Sequence, residues 1–447
     1  MSSATTEPPR LSDPDLDLSL DLPPSPRPRR RLPQSFAALE VRNYRVFLSG
    51  QIVATTGLWM QRIAQDWLIL ELTGSAAAVG VAVALQFAPV LFFGLLGGVV
   101  ADRFPKRRIL LVTQSVAATL ALTLGLLTLT HTVQAWHVFA IACLLGFVTV
   151  VDNPTRQVFV SELVGADHIR NAVSLNSSVF QFGALLGPAL SGLLISAVGQ
   201  GWSFLINAGA CCTVLVMLSA LRPPPFVRPV GAAAAKLSPA LRYIGRTSEV
   251  GWTIVLVAAL GLFGLNMPVI LTAFADSEFR TGVGGYSLFN SLSAVGALAG
   301  ALISARRREK LRLRALVCSL GALAVAIVAA SLAPSIWVFA ALLVLIGLAT
   351  LLFLTGANSL VQMTAVPALR GRVMSVYLLV LLGGQALGGP TVGWLIDQVG
   401  ARPAMTLCGA LLGLVVLLSG VAMAHRAHLT LRLDLHRGHG LLRIVSH

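Results

Sequence analysis

Charged residues are scarce in this chain. Asp, Glu, Lys and Arg make up only 11% of its 447 residues, whereas 56% are hydrophobic and the mean hydropathy is +0.81. A soluble domain carries about a quarter charged residues, because these cover the surface that faces water. The composition therefore excludes a water-soluble globular protein of this size and indicates a chain that is surrounded by lipid.

Sequence signatures of enzymes and of metal sites are also missing. There is no phosphate-cradling loop of glycines and a lysine, and no serine or histidine stands in the context of a nucleophile elbow. The five cysteines all fall inside apolar runs, and none has the spacing of a metal ligand set. We therefore expect no enzymatic activity, no cofactor and no metal, with the cysteines acting as small packing residues.

Long apolar runs are what the sequence has in abundance. Each is long enough to cross the roughly 30 Å hydrocarbon core of a bilayer as a helix, and none alternates as a barrel strand would. The sequence therefore predicts an all-α integral membrane protein with twelve transmembrane helices. The predicted spans are residues 46–70, 76–101, 108–130, 136–158, 171–197, 201–221, 251–274, 284–305, 313–333, 335–357, 373–398 and 403–424.

Basic residues concentrate in every second loop between these spans, and the intervening loops hold only Arg280 and Arg402. This asymmetry places both termini and the basic loops in the cytoplasm. The net charge of +15 therefore reflects membrane topology and contact with anionic lipid, so we expect no nucleic acid partner. Abundant Arg, Ala and Leu beside only three Lys favour a bacterial source and a bacterial plasma membrane.

The chain divides into two halves that repeat. A shift of 202 residues places the GP of 187–188 on that of 389–390, and places GVVAD (98–102) on GALIS (300–304). We predict two pseudo-symmetric six-helix bundles, a known transporter plan. The predicted order is a disordered cytoplasmic tail (1–34), a first bundle (35–221), a Pro-rich cytoplasmic linker (222–250), a second bundle (251–424) and a basic cytoplasmic tail (425–447).

The loop after the second span carries a motif. Gly98, Asp102, Arg103, Lys106 and Arg107 resemble the corresponding loop of the major facilitator superfamily, although a proline, at position 105, replaces its second glycine. The stretches GLWMQRIAQDWLILELTGSA (57–76), DNPTRQ (152–157) and GALLGPALSG (183–192) resemble the branch that holds siderophore (enterobactin) exporters and macrolide efflux pumps. The resemblance covers about residues 46–424 and implies the major facilitator fold.

The resemblance implies a gate at Asp102. A carboxylate at this position can accept backbone N–H bonds at the start of a neighbouring helix, where the helix dipole is positive. Asp102, with Gly98, Arg103 and Arg107, is then expected to latch the halves on the cytoplasmic side, with Arg156 as its ion-pair partner. The start of the eleventh span, near Arg370 and Arg372, is the expected docking point across the halves. The alternative is a plain topology anchor, for which the bases alone would suffice.

The first span is the most polar. Gln51, Thr55, Arg62 and Asp66 share one helical face, and the last two are i,i+4 neighbours that can pair. Ionisable groups inside spans usually face a cavity or another helix. Either Asp66 binds the coupling proton while Arg62 tunes its proton affinity or contacts an anionic substrate, or the two form a structural pair near the outer surface. Asp152 is the other candidate acid, unless it belongs to a charge network with Arg156.

Two further sets of residues complete the candidate site. Gly183, Gly187, Pro188 and Gly192 in the fifth span allow close helix packing and bending, and the resemblance associates such a segment with export by antiport. Polar groups inside spans favour interiors, so we expect about half of a second set to line a substrate cavity and the rest to bond neighbouring helices. This set is Gln51, Thr55, Asn176, Gln181, Asn266, Asn290, Asn358, Gln362, Tyr377 and Gln385.

Together these features predict a secondary active transporter. The missing nucleotide loop and the family resemblance together make the proton gradient the expected energy source. The resemblance implies antiport export of a drug-like or siderophore-like small molecule by alternating access. The expected partners are that substrate, protons and membrane lipids, and the expected state is a monomer. The alternatives are a proton-coupled uptake symporter and a transport-inactive membrane protein that binds a ligand or partner.

Overall fold

The computed structural model describes residues 34–165, 168–221, 238–306, 312–367, 369–426, 429–433 and 442–446. Residues 1–33 of the first predicted tail, 222–237 of the predicted linker, and 427–428, 434–441 and 447 of the second predicted tail lie outside these ranges. Our predictions for those segments are therefore not addressed by the structure.

The described chain is built almost entirely of helices, as the sequence predicts. A 3₁₀ turn (Gln34–Glu40) precedes the first α-helix, and π-helical turns (Leu260–Gly264 and Phe274–Glu278) flank the ninth. The helices are α1 (Arg42–Thr73), α2 (Ala76–Arg103), α3 (Lys106–Leu129), α4 (Ala135–Val164), α5 (Ile169–Val198), α6 (Gly201–Ala220), α7 (Ser238–Arg246), α8 (Ser248–Ala259), α9 (Met267–Ala273), α10 (Gly282–Arg306), α11 (Leu313–Ser331), α12 (Ile336–Thr364), α13 (Arg370–Val399) and α14 (Ala401–Arg426).

Two elements depart from the predicted organisation. The predicted linker contains the short helix α7, whose Tyr243 hydroxyl donates to the Thr364 carbonyl at 2.9 Å. Past α14, strands β1 (Leu429–Leu433) and β2 (Leu442–Ser446) form an antiparallel pair. Helix α7 packs against α8 and α13 of the second half, and β1 contacts α14. The fold of the membrane-spanning part remains all-α.

Eleven stretches of the described residues are long and apolar enough to span a membrane, and α8 to the turn at Phe274–Glu278 counts as one of them. The first predicted span is absent from this set. Helix α1 has 32 residues, about 48 Å at 1.5 Å per residue, but Arg62, Asp66 and Glu71 lower its hydropathy. The count of twelve spans therefore stays a prediction.

The same helix pairings recur in both halves. α3 packs on α6 as α11 packs on α14, and α2 packs on α4 as α10 packs on α12. Polar pairs recur as well: Gln200 donates to Glu71 where α1 ends and α6 begins, and Arg402 donates to Glu278 at 2.6 Å at the corresponding helix ends. The repeat that the sequence shift indicates is thus visible in the contacts.

The halves meet along two helix pairs, α2 with α13 and α5 with α10. We call the end of the bundle that carries the turn at Ser75 the Ser75 end, and the opposite end the Asp102 end. At the Ser75 end the backbones touch, because a Cβ on Gly80 would collide with the carbonyl of Gly389. On the same face of α2, a Cβ on Gly94 or Gly98 would meet no atom of α13. The cleft between the halves is therefore closed at the Ser75 end and opens toward the Asp102 end.

Candidate transport site

A cavity of about 280 Å³ lies between the halves. Helices α1, α2 and α5 form one wall, and α9, α10, α12 and α13 form the other. Six residues that the sequence singles out line it. They are Arg62, Asp66, Gln181, Pro188, Asn290 and Gln385.

The other seven polar candidates do not line this cavity. Five of them bond within their own half, whereas Asn176 Oδ1 is buried without a hydrogen-bond partner among the described residues. Asn266 donates to the carbonyls of Gly261 and Leu262, where the π-helical turn loosens the helix. Asn358 accepts from Gln362 at 2.5 Å, and Tyr377 donates to a carbonyl of α12. Gln51 accepts from Arg156, Thr55 packs against Gly183, and Asn176 is not on the wall. Three of the ten candidates thus line the cavity.

Asp66 bonds across the two halves. Its Oδ2 accepts from the hydroxyl of Tyr286 on α10 at 2.8 Å, and both residues are buried. The expected pairing of Arg62 with Asp66 does not form, since Arg62 makes no hydrogen bond or ion pair with another described residue. Its guanidinium instead lies over the ring of Trp59, 5.1 Å from the centroid, a favourable cation–π position. Asp66 thus bonds to Tyr286 on α10, and Arg62 lies over Trp59, so the two do not pair with each other.

Asp152 is the centre of a buried cluster inside the first half. Its carboxylate accepts from Thr113 at 2.7 Å, from Gln114 at 3.3 Å, and from two nitrogens of Arg156 at 2.7 and 2.9 Å. Arg156 also donates to Gln51 at 2.5 Å. The expected ion pair of Arg156 with Asp102 is therefore wrong, because Asp152 stands one helical turn away on the same helix. The cluster joins α1, α3 and α4.

The residues of the predicted latch are not engaged across the halves. Asp102 makes no hydrogen bond or ion pair with another described residue, and Arg103 is exposed. Arg107 donates to the carbonyls of Leu218 and Ser219 at the end of α6, where the helix dipole attracts a cation. Arg107 thus fastens α3 to α6. The state of the cleft explains the free carboxylate, since α2 and α13 are apart at this end.

The arrangement expected for Asp102 occurs at the opposite end of the same interface. Asp397, at the end of α13, accepts from the backbone N–H groups of Ala76 at 2.8 Å and Ala77 at 3.1 Å, and from the Ser75 hydroxyl at 2.6 Å. These groups form the N-terminus of α2, so a carboxylate of one half caps a helix of the other. No role for Asp397 or Tyr286 could be predicted from the sequence, because each acts on a residue far away in the chain.

The glycines of the fifth span bring three helices together. Added Cβ atoms would collide with Trp59 at Gly187, and would lie 2.6 Å from Thr55 at Gly183 and 2.5 Å from Ser287 at Gly192. The first two positions hold α5 against α1, and the third holds it against α10 of the other half. Close packing is what small residues permit in membrane helices.

A family model described as the transmembrane secretion effector matches residues 33–432. The chain belongs to this family. The multidrug efflux pump Tap of Mycolicibacterium fortuitum is 26% identical to it over 389 residues, which cover 83% of this chain and 94% of the pump. The enterobactin exporter EntS of Escherichia coli O9:H4 (strain HS) is 25% identical, with 86% and 92% covered. The staphyloferrin A transporter of Staphylococcus aureus is 27% identical over 175 residues, 39% of this chain and 44% of that one.

Solved structures share the fold at low sequence identity. The nucleoside transporter NupG has a TM-score of 0.66 at 14% identity, with 86% of this chain and 98% of that one covered. A bacterial homologue of the lysosomal transporter Spinster, in an inward-facing and unoccupied conformation, has a TM-score of 0.64 at 16% identity, with 86% and 96% covered. The resemblance to the major facilitator superfamily is thus confirmed. The chain is a multi-pass membrane transporter of this secretion effector family and not an enzyme.

The Asp397 cap is expected to stabilise the state in which the Ser75 end is closed. Asp397→Ala removes the acceptor at the start of α2, and an exposed charge at a helix N-terminus contributes about 0.3–1 kcal/mol. We expect the ratio of closed to open molecules to fall about twofold to fivefold. Spin labels on the exposed positions Thr73 and Val399 would report this as a larger population at long distance. Asp276→Ala, at an exposed acid of the same end, is the control, and an unchanged distance distribution in Asp397→Ala would contradict the role.

Because the Asp152 cluster joins three helices, we expect its loss to lower the stability of the folded protein. Asp152→Ala leaves the half-buried guanidinium of Arg156 without its anion, and removing one partner of a buried pair costs about 3–5 kcal/mol. The double variant Asp152→Leu with Arg156→Met removes both charges and should recover much of the loss. Thermal unfolding of the detergent-purified protein measures both. Equal destabilisation of the single and double variants would show that the pair does not act as a unit.

Proposed function

We propose that this transporter exports a small organic molecule from the cytoplasm in exchange for protons, by alternating access. The Asp102 end faces the cytoplasm, because the described basic residues concentrate there and only Arg280 and Arg402 lie at the other end. The cleft is then open to the cytoplasm, where cargo for export would enter. The direction is supported by the relatives, which are named as an efflux pump and a siderophore exporter.

The Asp66–Tyr286 hydrogen bond is the observation that carries this proposal. It lies in the wall of the cavity and joins α1 of one half to α10 of the other. A hydrogen bond to an ionised carboxylate is about twice as strong as one between neutral groups. Ionised Asp66 therefore favours the state in which the halves meet beside Tyr286, and a proton on Asp66 weakens that link.

Exchange requires that cargo and proton exclude each other. A cargo molecule that donates to the Asp66 carboxylate binds only while the proton is absent, and a proton that neutralises Asp66 removes the acceptor. Release of a proton to the cytoplasm thus prepares the site for cargo, and arrival of a proton from outside follows cargo release. The Asp102 motif supplies the matching contact when the cytoplasmic end closes and α2 approaches the start of α13.

Asp66→Asn should abolish energised export. The amide keeps the size of the side chain but carries no titratable proton, so we expect efflux to fall about 100-fold or more, the contribution typical of a general acid–base group. The assay compares release of a panel of drugs and siderophores from cells with and without the chain, before and after a protonophore. Asp276→Asn, at an exposed acid outside the cavity, is the matched control and should retain export. Wild-type export that continues unchanged after the proton gradient collapses would contradict antiport.

A further inference from the structure

Three polar atoms on the α1 wall of the cavity have no hydrogen-bond partner in the described residues. They are Trp59 Nε1, Arg62 Nε and Gln65 Oε1, and all three residues line the cavity. Gln65 is only 3% exposed. A buried polar group left without a partner costs about 1–3 kcal/mol. These atoms are therefore places where a molecule in the cavity gains free energy by supplying the missing partners.

The chemistry of the wall changes along α1. Trp59 and Arg62 offer donors, whereas Gln65 and Asp66, further along the helix, offer acceptors. The midpoints of the two pairs are five residues apart, which is about 7 Å along a helix that rises 1.5 Å per residue. The wall thus presents a cationic donor region followed by an anionic acceptor region.

No nearby side chain cancels this pattern. Arg62 and Asp66 are the only Lys, Arg, Asp or Glu among the described residues that line the cavity, and they do not form an ion pair. Tyr286 occupies one carboxylate oxygen of Asp66, and Trp59 covers the face of the guanidinium without accepting its hydrogens. The two charges stand separately, and each can meet an opposite charge on a ligand. The surrounding wall is largely apolar, with Phe87, Phe180, Leu265 and Leu271.

We infer that the cavity binds a small dipolar molecule that carries an acidic oxygen group and an amine on an apolar framework. The acidic group accepts from Trp59 Nε1 and Arg62 Nε, and the amine, about 7 Å away, donates to Gln65 Oε1 and Asp66. This inference deepens the proposed function, because an amine on Asp66 competes with the proton there. A ligand with only an acidic group would bind Arg62 more tightly when Asp66 is protonated, and would not support exchange.

The inference is tested by binding three matched probes to the purified full-length transporter. They are 4-(aminomethyl)benzoate, which carries both groups, 4-methylbenzoate, which keeps only the acid, and 4-methylbenzylamine, which keeps only the amine. A hydrogen bond to a charged group contributes about 1.5–3 kcal/mol, so we expect the dipolar probe to bind at least about tenfold more tightly than either single-charge probe. Isothermal titration calorimetry measures the three affinities.

Two variants separate the two ends of the ligand. Arg62→Gln should remove the advantage of the dipolar probe over the amine and keep its advantage over the acid. Asp66→Asn should do the reverse. Arg280→Gln and Asp276→Asn, at exposed charges outside the cavity, should change neither, and thermal unfolding verifies that all four variants are folded. Equal affinities for the three probes, no binding of the dipolar probe to the wild type, or the same response in both cavity variants would each overturn the inference.

Binding is measured here without a proton gradient, so the two proposals fail separately. Selective binding of the dipolar probe with no gradient-driven flux would leave the dipolar site intact and refute exchange. Gradient-driven export of molecules without either charged group would leave exchange intact and refute the dipolar site.

Discussion

A carboxylate inside a membrane protein must take its hydrogen bonds from the protein, because lipid offers none. Asp66 meets this need with a donor from the other half of the molecule, the hydroxyl of Tyr286. The local partner, Arg62, stands one turn away and does not take part. Because the hydrogen bond that this carboxylate makes with the described residues joins the two halves, its charge state and the contact between the halves depend on each other. In the proposed exchange, that dependence lets a proton act on the position of helices.

The interface between α2 and α13 shows where the two halves are in contact and where they are apart. At the Ser75 end the two backbones touch at Gly80 and Gly389, and Asp397 caps α2. At the Asp102 end no atom of α13 lies within reach of Gly94 or Gly98. Asp397 caps α2 in the state seen, and in our proposal Asp102 makes the matching contact in the opposite state. A rocking motion of rigid bundles needs such paired contacts, because packed helices switch between discrete arrangements and do not deform continuously.

The fold was predictable from the sequence because its causes are local. Apolar runs of sufficient length predict the spans, and the distribution of basic residues among the loops predicts the orientation of the spans in the membrane. The repeat was visible in short matches at a constant shift. Helix α1 shows the limit of this reasoning. It is a continuous helix, but its charged residues lower its hydropathy, so it is not among the eleven stretches apolar enough to span a membrane.

The site was predictable only in part, because its decisive contacts are not local. Asp66 and Arg62 could be found as ionisable groups within a span, and both line the cavity. That Asp66 and Arg62 do not pair could not be predicted, because Asp66 bonds to Tyr286, 220 residues further along the chain. The role of Asp397 could not be predicted for the same reason, because its partners at the start of α2 are more than 300 residues away in sequence. Asp152 was recognised, but the number of donors around it depends on the packing of α3.

The link between Asp66 and Tyr286 is tested most directly by a double-mutant cycle on the opening of the Ser75 end. Distances between spin labels on Thr73 and Val399 are measured by pulsed electron paramagnetic resonance in Asp66→Asn, Tyr286→Phe and the double variant. The account predicts that each single change shifts the population toward the open end, and that the double change adds little, because Asp66→Asn weakens and Tyr286→Phe removes the same hydrogen bond. Distances that match the wild type in both single variants, or effects that simply add, would contradict it.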